Sequence, residues 1–334
     1  MLLQYFITEL SPWRQNLRQF DFCDKDRHFG TTVVQLSSTC EPLLNAILAV
    51  SAKHLSLTSE YCPLASDKYQ RKCLQILIPA LNDQDSLLDP TLFAATAILR
   101  LFDEMTDPVG DRRSRGHILG THILLRAQET PSPTSSLRAA SLLVALRQEI
   151  FISFFTRTAV QPLADYLPIS RSSSSSASPD DSDYAWAVRA IALAADALTF
   201  CHGQAGKSVE GWQALRARLD AWQRGKPPSF APVRHEPRRP FPRICFANDC
   251  HIGAQLYSDV CRILLLAHDP RVPALGLDRA NAAQYVDERI RGYVRRMCGV
   301  AVSHPESHPA LSVTGMVIAM CRWLAPFYLL LVLG

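Results

Sequence analysis

The sequence predicts an all-α protein, an irregular helical superhelix or bundle of about ten helices. Three observations carry this. Apolar residues recur with the helical period along most of the 334 residues. Strand-type alternation is not sustained anywhere. The joints between apolar segments are short and polar, and no fixed-period repeat links them, so a regular solenoid is not indicated.

The elements follow in chain order. Met1 to Trp13 has no basic leader, and Gln4, Thr8 and Glu9 interrupt its apolar run, so it does not read as a secretory signal. Pro42 sits where a first helical residue would, after Thr39 and Glu41. On a wheel of about 100° steps from Leu43, residues Leu44, Ile47, Leu48, Val50, Leu55 and Leu57 fall on one half, and Lys53 falls off it. His54 lands inside the apolar arc and reads as a core histidine with a backbone partner. Further helices are expected over Pro63 to Leu81, Pro90 to Met105, His117 to Gln128, Leu137 to Thr158 and Tyr184 to His202. Val209 to Trp222, Arg279 to Val302 and Leu311 to Trp323 continue the set. Between Asn248 and His268, residues Ile252, Leu256, Val260, Ile263 and Ala267 form one stripe, with Gln255 and Arg262 away from it. Asp259 intrudes at the edge of that stripe and needs a partner or exposure.

Two segments break the helical text. Residues 170–183, a serine run followed by Pro179 and three aspartates, cannot bury apolar area and read as a disordered connector. Residues 224–243 hold six prolines and six Lys/Arg residues, so they read as an extended, solvated surface strap. Such a strap could touch phosphate. From Ala310 to Gly334 only Arg322 is charged. That tract is long enough to span a bilayer, but Arg322 and Pro326 oppose a span, and a buried or frayed terminal helix is expected.

Composition narrows the function classes. A 48% hydrophobic and 20% charged chain of this length is ordinary for a globular protein with a large core. A net charge of +4 from 35 basic and 31 acidic residues does not by itself predict nucleic-acid binding. The ten cysteines, at 23, 40, 62, 73, 201, 245, 250, 261, 298 and 321, are dispersed through apolar text, which fits a reducing interior better than a disulfide framework.

No constellation reads as catalytic or metal-binding. Cys245, Cys250 and His251 cluster, but a structural zinc needs four ligands and no second pair lies nearby. Cys298, His304 and His308 are a similar case, with Pro305 and Pro309 placing the histidines in a loop. His117 and His122 are five apart, a poor spacing for one helix face. Asp83/Asp85 falls in a turn, Asp103/Glu104 ends a helix, and Asp180/Asp181 lies in the connector. None sets two acids along a helix to hold magnesium diphosphate. The expectation is therefore no catalytic, cofactor-binding, metal or DNA-contacting residue, and no enzyme.

Specific strings point further. YFITELSPW (5–13), CDKDRHFG (23–30), PLLNAILAVSAKHLS (42–56), CLQILIPAL (73–81) and HILGTHILLRAQ (117–128) occur in order. ALRQEIFISF (145–154), NDCHIGAQLYSDVCRILLLAHDPRVP (248–273) and IAMC (318–321) follow. Together these resemble the C-terminal regulatory region of fungal zinc-cluster transcription factors, the fungal-specific transcription factor domain, over about residues 2–321. The resemblance implies an all-α superhelical body, nuclear residence and a part in RNA polymerase II gene control. It also implies protein partners of the transcription machinery or a homo-oligomer, and a small-molecule effector. The family's zinc ligands form a compact six-cysteine cluster opening with C-x-x-C, which this sequence lacks, so no zinc ligand or DNA contact is carried over. The expected organisation is a regulatory domain over 1–321 and a divergent apolar tail over 322–334. Met1 falls where the helical region would already be under way, which suggests a shortened form or gene model. The rival readings are a helical interaction protein tethered to a membrane through residues 310–334, and an all-α enzyme or small-molecule sensor.

Overall fold

The computed structural model describes residues 1–10, 20–21, 23–24, 26–106, 136–160, 182–203, 207–272 and 277–320. The expected helix over His117 to Gln128, with His117 and His122, lies outside them. So do Asp180, Asp181, most of the serine connector, Cys321 and the apolar tail.

The all-α expectation holds. A first turn, α1 (Leu2–Tyr5), runs into a π-helical turn (Phe6–Leu10). Then come α2 (Thr32–Leu36), α3 (Glu41–Thr58), α4 (Pro63–Ala80), α5 (Gln84–Leu87), α6 (Pro90–Thr106) and α7 (Leu137–Thr156). These are followed by α8 (Asp183–His202), α9 (Val209–Gly225) and a 3₁₀ turn (Pro228–Phe230). Strands β1 (Arg234–Glu236) and β2 (Arg243–Cys245) precede α10 (Asp249–Ala267), α11 (Leu277–Ser303) and α12 (His308–Met320). Nine of these helices have 13 residues or more.

The described chain forms two compact units, one up to Gln148 and one from Glu149 onward. In the first, α3 packs between α4 and α6. Pro at the first turn of α3 and of α4 costs no hydrogen bond there, because those amides have no helical acceptor. Leu43, Ile47 and Val50 of α3 meet Cys73 and Leu77 of α4 and Ile98 and Phe102 of α6 in one cluster. Each such large apolar side chain contributes about 1.5–3 kcal/mol on burial. Phe20 and Phe29 stack at 4.9 Å in the same cluster. The Cys73 thiol donates to Pro42 O at 3.1 Å, and burial pushes its pKa up to about 12, so it is a packing group.

Two sequence expectations for α3 need correction. Leu57 is 58% exposed, because the last turn runs past the neighbours that cover Leu43 to Val50. His54 is half-buried, and its partner is a side chain: Tyr5 Oη lies 2.6 Å from Nδ1.

In the second unit α8 and α10 form the central pair, α9 packs on both, and α12 covers α10 and α11. Two tryptophans lock α9 in place. Trp212 Nε1 donates to Leu265 O at 2.8 Å, and Trp222 Nε1 donates to Trp186 O at 3.0 Å. Ser182 and Asp183, placed in the connector on composition, instead begin α8. Ser182 Oγ accepts from Ala185 N at 3.3 Å as its N-cap. By length and composition α7 and α8 could cross a membrane, and 78% of each apolar window is buried within the protein.

Candidate interaction surface

The strap read from the sequence becomes a fixed surface feature. Arg224 and Gly225 still belong to α9, and the extended path starts after them. Six prolines withhold amide hydrogens, so only two short runs pair. The register is Arg234 with Cys245, His235 with Ile244 and Glu236 with Arg243. Directly paired residues share a face, which puts Arg234, Glu236 and Arg243 together. Ile244, one residue over, is buried at 4% exposure.

The strap is held at both ends. At its start, Lys226 Nζ donates to Gln255 Oε1 at 3.1 Å and lies over the Trp222 ring. Burial, with Arg262 and Arg296 nearby, lowers the Lys226 pKa. Phe230 is buried edge-on to Trp222, with the His251 ring 4.5 Å away. Ser229 Oγ donates to Asp183 Oδ1 at 2.7 Å. At its end, Ile244 N donates to Ser303 Oγ at 3.0 Å, and Phe246 N donates to His304 Nε2 at 2.9 Å. That second bond fixes the His304 proton on Nδ1, which faces Glu306 Oε1 at 3.4 Å. Gly299 makes the approach possible: a Cβ there would stand 2.3 Å from Pro242 O.

Gln255, which holds the strap's first lysine, also bonds a buried charge. Asp259 is 1% exposed. It accepts from Arg262 Nη1 at 3.2 Å, from Arg296 Nε at 3.0 Å and from Gln255 Nε2 at 3.3 Å. Arg262 Nη2 in turn donates to Gln223 Oε1 at 2.9 Å. Arg262, Arg289 and Arg296 all lie against the Tyr293 ring.

Of the cysteine–histidine groups singled out in the sequence, His251 and His304 are engaged in this scaffold. Cys245 ends β2, and Cys250 lies in the first turn of α10. His251 Nε2 donates to Asp183 Oδ2 at 2.7 Å. Ser229, Asp183 and His251 do not form a nucleophile relay, because the hydroxyl donates to the carboxylate and not to the imidazole. Hydrogen bonds from Ser229 and His251 outweigh burial and hold the Asp183 carboxyl below its usual range. Cys298 is buried inside α11. His304 anchors the strap, while His308 opens α12, so Pro309 starts a helix where a loop was expected. In the first unit, Asp83 Oδ2 accepts from Ser86 N at 3.0 Å and caps the short α5. Burial, then Glu104, pushes the Asp103 carboxyl up to about 7.

One convergence was missed in the sequence. Asp24, Asp26 and His28 bring ligand-type atoms within 4.8 Å of one another. Asp24 accounts for it by capping its own turn, accepting from Asp26 N at 3.1 Å, His28 N at 2.8 Å and His28 Nδ1 at 2.9 Å. The alternation D-x-D-x-H was the available signal.

Comparison with known families gives a match. The family described as the fungal specific transcription factor domain matches residues 1–193, more than half of the chain, and the chain belongs to that family. Membership carries a role in transcription regulation. The strap lies beyond the matched residues. No curated protein and no solved structure matches significantly.

Proposed function

We propose that this chain is the contact-making regulatory region of a nuclear transcription regulator of RNA polymerase II genes, extending over residues 1–321. It acts through protein partners of the transcription machinery or a second copy, under a small-molecule effector, and without catalysis, metal or base reading by its own residues. The observation that carries the reading is family membership over residues 1–193 on an all-α scaffold. The dispersed cysteines support it, since the sequence holds no C-x-x-C cluster to organise zinc against DNA. So does the engagement of His251 and His304 in structural hydrogen bonds. A mobility-shift assay on the purified chain should give no sequence-specific complex at physiological salt. Fused to an unrelated DNA-binding module, the chain should change transcription of a reporter. A tight specific complex, or a reporter that does not respond, overturns the reading.

A further inference from the structure

We propose that the outward face of the strap docks an acidic peptide segment of a partner protein, one alternating carboxylates with apolar side chains. The proposal rests on the contact role above and names a partner chemistry for it. Residues 234–243 hold four arginines against one glutamate, a net +3 within a chain whose total is +4. Glu236 gathers them. Arg234 Nε donates to it at 2.6 Å, Arg238 Nη2 donates at 3.2 Å, and Arg243 pairs opposite it across the hairpin. Each guanidinium carries five donors, so Arg234 and Arg238, 52% and 58% exposed, keep N–H groups for a second carboxylate. Arg239 is exposed beside them.

Val233 is 74% exposed next to this cluster and offers an apolar contact to the same ligand. A nucleic-acid backbone fits less well. Each phosphate neutralised adds only about 0.9 to the salt slope, and a hairpin as short as residues 234–245 with a carboxylate among its arginines makes few such contacts. Val233 also has no counterpart on a phosphate chain. Pro232 and Pro237 flank β1, so recognition runs through side chains and not through strand addition. The anchors at Ser229, Phe230, Ile244 and Phe246 fix the hairpin before binding, which lowers the ordering cost.

The test is fluorescence anisotropy on the full chain at physiological salt, with a short labelled peptide alternating aspartate and leucine. Saturable binding is expected. It should weaken at least about tenfold in R238E/R239E and persist in R238K/R239K, both checked for an unchanged circular dichroism spectrum. Equal binding by the charge-reversed variant, equal binding of a peptide with asparagine in place of aspartate, or tighter binding of a random-sequence DNA duplex would overturn the proposal. Failure here with the reporter response intact removes only the strap's role, whereas loss of the reporter response removes the regulatory reading.

Discussion

Asp259 concentrates the polar energetics of the second unit. A carboxylate 1% exposed is stable only because two guanidiniums and an amide donate to it. Breaking such a group costs more than omitting it, since the cations then stay buried without their counter-charge. Asp259→Ala leaves Arg262 and Lys226 close together without it. Arg296, 35% exposed, swings into water. The expected loss is about 3 kcal/mol, read by urea denaturation, and Asp259→Leu with Arg262→Met should recover most of it. A loss under about 1 kcal/mol for the single change would show that the carboxylate is not paired in solution. The need for a partner was legible in the helical wheel, because an ionised group cannot sit at the edge of an apolar stripe alone. Its identity was not, since Arg296 lies 37 residues away and only tertiary packing brings it in. His54 shows the same limit: its apolar position was readable, but Tyr5, 49 residues distant, was not.

At the scale of elements, hydrophobic period located most of the helices to within a few residues, because an amphipathic stripe has to face a core. It did not reveal how deeply each is buried. In α10 the stripe of Ile252, Leu256, Val260 and Ile263 is buried as expected, yet Gly253, Ala254, Gln255, Tyr257 and Ser258 are buried too, and Ala267 is exposed. A helix covered by α8, α9, α11 and α12 has no solvent face for its polar residues. The strap was readable as non-helical from its prolines. Its pairing was not, because three-residue strands show no alternation and Gly299, which admits Pro242, is distant in sequence. The cap of α10 allows a direct test. Asn248 Oδ1 accepts from His251 N at 3.0 Å, and loss of such a cap costs about 1 kcal/mol. Asn248→Ala should lower the stability of the second unit by that amount, and Asn248→Ser, which caps without setting a second carboxylate against Asp183, should restore most of it. Thermal melts of the three proteins that coincide would show the cap to be idle.

Across the whole molecule, acidification should act on the two units in opposite senses. In the first, burial raises Asp103 from 3.8 to about 7. The resulting stability is fully present below pH 3.8 and is lost as pH rises through about 7. His54 opposes this, since burial lowers its pKa, but its shift is the smaller one. In the second unit the rings of His202 and His268 lie 5.5 Å apart. Both pKa values are lowered, chiefly by burial, and Lys207 and Arg157 act in the same direction. Their stability is fully present above pH 6.5 and is lost as pH falls through the lowered folded values. Asp183, lowered by its hydrogen bonds from Ser229 and His251, and Asp269, lowered by that from Arg271, add to the loss below pH 3.8. Hydrogen exchange should therefore show α8 and α10 amides losing protection relative to α3 and α6 as pH falls from neutral toward 5, after correction for intrinsic exchange rates. Asp103→Asn keeps the volume and the hydrogen bond from Gln70, and removes the charge. It should flatten the pH response of the first unit and raise its stability at pH 8 by about 2 kcal/mol, after allowance for solvent screening. Parallel changes in both units, or an Asp103→Asn protein with an unaltered pH response, would place the titrating groups elsewhere.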